Sequence, residues 1–435
     1  MKQIFKISAI FATTVFAFSC SNDDSLEKIT TNEPVVKTFE SVLEDGEGAS
    51  TRAVINSSKK FRWESGDKIN VFDNLGGKNQ FTAGDPGASN APSFTGTVTG
   101  SPTAFYALYP YDADATWTYG TTTATAYVPS YQGWLTSGNA SAAAKLHLLG
   151  ATESAGILAF KNLTSIIKIT AGDGSSLNEI KLEMGSSAAI AGDCNVNLST
   201  RAAGSGSSNT IIMNSTEMAE GDYYFVVLPT TERNIAVTFK TTAGKYQTVN
   251  KELKNSSGIE AGKMIDFGTV TSGNLSNLAD YNYTKVTGAA LSDWTGDYSI
   301  VYYDGTAAED KKYASFGNGG MTRRYYQDAD VTGGGTTIAP SKVFTDTKYV
   351  TLVKKGSGYY IMNNGKYLTG TNDSNTASFE DSPQAGSIWT PVWDSVNNTM
   401  TFTNSTSNSK SFGMTSNGWR FYSSVSGFYM FKADH

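Results

Sequence analysis

Phe61-Arg62-Trp63-Glu64-Ser65-Gly66-Asp67-Lys68-Ile69-Asn70-Val71-Phe72 reads as two strand runs around a Ser-Gly-Asp turn, with apolar residues spaced by two. A period of two is that of a half-buried strand, whereas a helix needs its apolar residues three and four apart. The same pattern extends in both directions. Upstream, Pro34-Val35-Val36-Lys37-Thr38-Phe39 starts a strand in which Val35, Phe39 and Leu43 share one parity and are expected to face a core, before Gly46 and Gly48 interrupt it. Downstream, Phe105-Tyr106-Ala107-Leu108-Tyr109-Pro110-Tyr111 is a buried-type run ended by proline, and a polar Thr/Ala/Gly stretch leads through Tyr127-Val128-Pro129 to about Gly150. From Ala151 short β-branched runs recur, among them Ser165-Ile166-Ile167-Lys168-Ile169, Tyr223 to Pro229 and Ile235 to Lys240, each closed by turn residues. Repeated short strands at this spacing predict a β-sandwich. A polar linker, Ser272 to Asp280, precedes a third unit over residues 281–435. Its aromatic strands (Trp294 to Tyr303, Tyr349 to Val353, Tyr359 to Leu368, Trp419 to Tyr422) predict a separate β-barrel or β-sandwich.

Composition narrows the class. Charged residues are only 17% of 435, and Gly, Thr, Ser, Asn and Tyr are abundant, as in extracellular all-β proteins. A net charge of −6 leaves no basic stripe, so no nucleic-acid partner is expected. The two cysteines are Cys20 and Cys194; with Cys20 lipidated as read below, no intrachain disulfide is expected.

The catalytic inventory is thin. The only histidines are His147, between Leu146 and Leu148, and His435, which disfavours paired-histidine metal sites and Ser-His-Asp catalysis. His147 is read as a satisfied packing residue. No Gly-x-Ser-x-Gly elbow occurs, each Gly-Lys pair lacks the Ser/Thr of a phosphate loop, and Asp112 and Asp114 lack the further acids of a calcium loop. No enzyme, metal or cofactor is expected, although any two carboxylates can meet in space as in a glycosidase.

The N-terminus sets the compartment. Lys2 and Lys6 precede an apolar run from Ile7 to Phe18, too short to span a bilayer but suited to a signal peptide, and Ser19-Cys20 then forms a lipoprotein cleavage site. Phe18 departs from the smaller residues usual there. Residues 1–19 are read as the signal and Cys20 as the lipidated residue, where two or three acyl chains anchor a protein firmly. Ser21-Asn22-Asp23-Asp24 is a polar, acidic start that suits export to the cell surface, and Ser21 to Asn32 is read as a tether.

In order along the chain, these pieces resemble the fimbrillin family, the subunits of type V pili. The resemblance is carried by the lipidated N-terminus, the strand near Val35 to Leu43, Ser50-Thr51-Arg52-Ala53, Ser65-Gly66-Asp67, Ala107-Leu108-Tyr109-Pro110-Tyr111, Phe160-Lys161-Asn162-Leu163, Ala191-Gly192, Gly221-Asp222-Tyr223-Tyr224 with Leu228-Pro229, and Gly262-Lys263 before Phe267-Gly268. It covers about Val35 to Val270. The resemblance implies two tandem transthyretin-like β-sandwich domains, here 53–150 and 151–272, after a lipidated propeptide, 20–52. It also implies a mechanism. The subunit crosses to the outer membrane as a lipoprotein, an arginine-specific protease cuts between Arg52 and Ala53, and loss of the first strand opens a groove that a donor strand from another pilus subunit fills, a form of β-augmentation. Stalk subunits end in a donor strand soon after the second domain, whereas this chain continues into a third unit. That departure favours a tip-type subunit carrying an adhesin-like module. A monomeric, surface-anchored glycan-binding lipoprotein is the alternative.

The third unit holds four of the seven tryptophans. Aromatic faces stack on sugar C–H surfaces while amides and charged groups bond hydroxyls, so Trp389, Trp393, Trp419, Tyr422, Arg323, Arg324, Asn363 and Asn364 are candidate contacts for a glycan or protein ligand. The competing reading is that aromatics on alternating strands pack a core.

Overall fold

The computed structural model describes residues 33–44, 63–87, 91–133, 143, 145–172, 174–185, 188–215, 218–275, 278–317, 320–344, 348–363, 366–370, 375, 377–404 and 406–433. The fold is all-β. Cys20, Arg52, Ala53, Asn364 and His435 lie outside the described residues.

Seven strands form a closed barrel in the first unit: Pro34–Leu43, Lys68–Asp73, Lys78–Ala83, Phe94–Thr99, Phe105–Tyr109, Leu149–Ser154 and Ile157–Asn162. Alternation fills it with rings. Trp63 packs edge-on against Phe94, Tyr109 and Phe160 at centroid distances of 5.0–5.1 Å, and Phe39 reaches Phe105 at 5.0 Å and Phe81 at 5.6 Å. Of the predicted pair of strands, the second is found at Lys68–Asp73; Trp63 and Glu64 are irregular, with the turn at Ser65-Gly66. The parity expected for the first strand is partly kept. Phe39 and Ser41 are buried and Leu43 half-buried, but Val35 is 53% exposed although its partner Val98 is buried.

The chain then leaves the barrel and returns to it. Trp117–Thr118 and Thr123–Val128 join Gly192–Asn197 and Ala202–Ala203 in a sheet of the second unit, before Leu149–Asn162 goes back to complete the barrel. A boundary at 150 therefore falls inside the strand Leu149–Ser154. The Thr/Ala stretch read as a polar connection is itself strand: Ala124, Ala126 and Val128 alternate into the core, where small side chains suffice. The second unit adds a three-stranded sheet (Gly221–Val227, Ser165–Ala171, Met264–Val270) and a five-stranded one (Thr210–Asn214, Leu177–Met184, Asn234–Thr241, Lys245–Glu252, Ala279–Asp280) around a shared aliphatic core.

The third unit is a ring of six strands with three hairpin caps. The ring runs Gly296–Tyr303, Val350–Lys355, Gly358–Asn363, Ile388–Asp394, Thr399–Asn404 and Tyr429–Ala433, which pairs again with Gly296–Tyr303. Paired backbone hydrogen bonds between Met400 and Phe428, 2.8 and 3.0 Å, join the fifth strand to the sixth. The caps are Tyr313–Gly317 with Gly320–Tyr326, Lys366–Gly370 with Ala377–Glu380, and Ser407–Thr415 with Gly418–Tyr422. Each follows its ring strand in sequence, the first after a short 3-10 turn at Glu309–Lys311, which gives the threefold order of a β-trefoil. The core repeats accordingly: Tyr298 and Ile300, Tyr359 and Ile361, and Met400 and Phe402 occupy equivalent inward positions. A segment between the first cap and Val350, including Pro340–Phe344, covers one outer face.

Candidate assembly site and interdomain cleft

The Pro34–Leu43 strand changes partner halfway along. Pro34 to Phe39 pair antiparallel with Phe94–Thr99, whereas Glu40 to Leu43 pair parallel with Ile157 to Phe160. Without this strand both neighbours would present unpaired N–H and C=O groups, the condition that recruits another strand. Its hold on the core is narrow. Phe39 fills the aromatic centre, Ser41 Oγ donates to the Pro92 carbonyl at 2.6 Å, and Lys37 Nζ lies 3.9 Å from the Phe105 ring centroid at the barrel mouth. Opposite Lys37, Gly96 has no room for a side chain, since a Cβ there would strike the Phe81 ring. At the far end Glu44 pairs with Arg201 of the second unit. A replacement strand running the same way would keep both ladders, and it must supply one large apolar residue and a small one two positions on.

The trefoil's own core accounts for most of the aromatic ligand candidates. Trp389 and Trp419 are fully buried and donate their indole N–H groups to the carbonyls of Leu368, 2.7 Å, and Ser315, 3.0 Å. Neither offers a face to a ligand. Asn363 is buried too, its Nδ2 donating to the Tyr349 carbonyl at 2.5 Å, and Asn404 makes the equivalent bond to Gly386 one repeat later. Trp393 is half-buried, with its N–H on the Gly288 carbonyl at 2.9 Å and its ring 5.3 Å from Trp294. Only Tyr422, 43% exposed, presents a free aromatic surface among these candidates. Arg323 sits in the strand Gly320–Tyr326 with its side chain outside the described atoms, and Arg324 is half-buried on the same strand. Trp389, Trp419 and Asn363 are thus committed to the trefoil core.

The other singled-out side chains are structural. His147 is fully buried, with its ring nitrogens 2.8 Å from Asn162 Oδ1 and 2.6 Å from Thr164 Oγ1; burial lowers its pKa to about 4, so it is neutral. Burial, with Asp193 beside it, pushes the Cys194 thiol up to about 12, which leaves it unreactive. No metal-holding group of His, Cys, Asp or Glu occurs among the described residues.

A charged cluster that sequence reading missed lies where the trefoil meets the second unit. Lys240, on the outer face of the five-stranded sheet, contacts Glu179 at 2.7 Å and the trefoil's Asp297 at 3.2 Å, with all three side chains at most 4% exposed. Asp297 also accepts hydrogen bonds from Thr351, 2.6 Å, and Asn214, 3.1 Å, and Asn214 in turn accepts from Tyr131, 2.7 Å. Burial would raise Glu179, but the Lys240 ammonium reverses this and holds it below its usual value. Asp297 is pushed up to about 7 by burial and by the Glu179 charge, against the pull of Lys240. Beside the cluster Asp193 accepts from Lys355, 3.3 Å, and from the Gly356 N–H, 2.9 Å, while Tyr131 and Ile212 pack with Val353, Tyr360 and Met362. Lys240 and Glu179 are ordinary outward residues of amphipathic strands, so only the long-range docking reveals them. The trefoil did leave a signal: Lys312-Tyr313-Ala314 and Lys366-Tyr367-Leu368 open its first two caps, and Lys410-Ser411-Phe412 lies within the first strand of the third. Two of these lysines meet equivalent acids, Lys312 with Asp328 and Lys366 with Asp381.

A cleft of about 310 Å³ opens beside the cluster, between the five-stranded sheet, the Ser207–Thr210 segment and the trefoil residues Asp293 to Asp297 and Lys432. No helix among the described residues is long and apolar enough to cross a membrane.

Comparison with known proteins follows the first two units. The fimbrillin-like family profile matches residues 51–294. No curated protein matches the chain. Among solved structures, a Bacteroides uniformis protein provisionally assigned to cell adhesion is 17% identical over 56% of this chain and 96% of its own, with a TM-score of 0.36. One from Bacteroides ovatus with the same provisional assignment is 15% identical over 56% and 95%, also at 0.36. The profile spans more than half the sequence and ends as the trefoil begins. The chain belongs to the fimbrillin-like family, whose members are subunits of pilus or adhesin type.

Proposed function

We propose that this chain is a tip-type subunit of a type V pilus, assembled by protease-triggered donor-strand exchange and carrying the trefoil as an adhesin-like module. The observation that carries the reading is the first strand. It completes a closed barrel with few buried side chains of its own, and the connection to the rest of the barrel runs through the segment that contains Arg52. Cleavage there by an arginine-specific protease would turn an intramolecular strand into a dissociable one, and would release the lipidated Cys20 with it. The route is therefore through the outer membrane as a surface lipoprotein, and then into the pilus.

The tip assignment rests on the segment after the second unit. Beyond Met264–Val270, residues Ala279–Asp280 pair with Lys245-Tyr246 and Tyr283–Lys285 pair with the last trefoil strand, so the place where a stalk subunit carries its donor strand is occupied. The partners are other pilus subunits, which supply the incoming strand, and the glycan or protein that the trefoil engages.

N-terminal sequencing of the surface form tests the cut, with Ala53 as the expected first residue. Arg52→Ala protein incorporated normally into fibres would overturn the mechanism. Electron microscopy of sheared fibres tests the position: label at fibre ends supports a tip subunit, and label on cells alone supports the anchored glycan-binding alternative.

A further inference from the structure

The cleft between the second unit and the trefoil is lined by groups whose hydrogen-bonding capacity is unevenly spent. Lys432, half-buried on the strand Tyr429–Ala433, makes no ion pair or hydrogen bond among the described residues. Burial lowers its pKa; the Asp293 and Asp297 charges oppose this, and neighbouring Lys181 adds to it. Lys181 faces the same cleft and meets Glu183 at 3.3 Å on its solvent side. Two ammonium groups thus share the space, while the nearby carboxylates are already engaged. Asp297 takes Lys240, Thr351 and Asn214, and Asp293 Oδ1 takes the Thr295 N–H, the Thr295 hydroxyl and the Tyr359 hydroxyl.

The hydroxyls on the walls show the opposite imbalance. Ser208 donates to the Thr210 carbonyl at 2.9 Å, Thr210 donates to Asn209 Oδ1 at 3.3 Å, and Thr295 donates to Asp293 at 2.8 Å. A hydroxyl has one proton and two acceptor lone pairs; Ser208 Oγ spends one of these on the Thr210 N–H, 3.2 Å, so these three hydroxyls have used their protons and keep acceptor capacity. Complementarity then specifies the guest. It needs a negative charge for Lys432 and Lys181 and several O–H donors for the hydroxyl oxygens. The volume, about 310 Å³, lies at the small end of ligand pockets and suits a single ring.

We propose that this cleft binds a small polyhydroxylated carboxylate, of the class of a monosaccharide uronic acid, with its carboxylate between Lys432 and Lys181. The guest touches both units at once, so its binding strengthens their docking. Nothing in this depends on cleavage at Arg52 or on fibre assembly.

Calorimetric titration of the intact chain with D-glucuronate, D-glucose and acetate tests the proposal. Saturable binding of glucuronate is expected, with glucose and acetate each weaker by at least about tenfold, the scale of one lost charge-assisted contact or of the lost hydroxyl contacts. Lys432→Met and Lys181→Met should each weaken glucuronate by a similar factor. Unchanged denaturation midpoints in these variants would show that the fold survives. Absence of saturable glucuronate binding, acetate binding as tight as glucuronate, or affinity unchanged in both well-folded variants would each overturn it.

Discussion

The seven-stranded barrel and the six-stranded trefoil ring are both closed, but by strands of different kinds. In the ring the first five strands each continue into a hairpin with their sequence neighbour or a cap, and Gly296–Tyr303 alone buries Asp297, Tyr298, Ser299, Ile300 and Val301. In the barrel the closing strand comes from the far N-terminal side, buries only Phe39 and Ser41 fully, and leaves Val35, Val36 and Val42 exposed. The difference shows that closure and commitment are separate properties. A ring whose strands interlock through their own side chains unfolds as a whole, whereas a strand held chiefly by backbone pairing and one ring can leave with limited damage elsewhere.

Deleting residues 33–44 should break the comparison most severely. The barrel's aromatic core would then bind a hydrophobic dye, while the trefoil keeps its own urea transition; loss of both transitions would show that the two closures are not independent. Phe39→Ala should cost about 3–5 kcal/mol in the barrel transition, as large-to-small core changes do. Lys240→Met leaves Glu179 and Asp297 facing each other without their cation, and should cost the interface about 3–5 kcal/mol by the same assay.

A pH series sharpens the picture at the interface. Asp297 binds its proton more tightly folded, about 7, than unfolded, 3.8, so its contribution is complete below about pH 4 and is lost as pH rises through 7. Glu179 is shifted the other way, so its contribution is present above its ordinary value and lost on acidification. Asp297→Asn should therefore gain on the wild type between pH 4 and 8, by a few kcal/mol at most at roughly 1.4 kcal/mol per pKa unit. A gap independent of pH would refute the assignment. The smallest effect is expected from Glu44→Gln, whose exposed pair with Arg201 should be worth about 1 kcal/mol or less.

Local pattern carried the all-β class and the strand positions, because alternation records which side chains must leave water. It carried less about which strands meet. Thr123–Val128 looks like a connection because Ala124 and Ala126 are small, yet its partner, Gly192–Asn197, lies some seventy residues on and supplies the reason for the alternation. The same limit hid the Lys240 cluster, whose members are outward residues until the trefoil covers them. Trp389 and Trp419 mislead in the other direction: a tryptophan on a strand suits a sugar and a core equally in sequence, and here both indole N–H groups find carbonyls inside. The Lys-x-apolar triplet recurs in all three caps at unequal spacing, and inside the strand in the third, so the repeat emerges only once the ring is seen.

The half-and-half pairing of Pro34–Leu43 has a consequence for geometry beyond one molecule. A strand that occupied this place in reverse would meet Phe94–Thr99 parallel and Ile157 to Phe160 antiparallel, and so would have to re-space the hydrogen bonds of both ladders. A chain that took it over in the native direction would keep both as they are. Contacts of this head-to-tail kind, repeated, give a ring where the rotation between copies closes, and a filament whose two ends are chemically different where it does not.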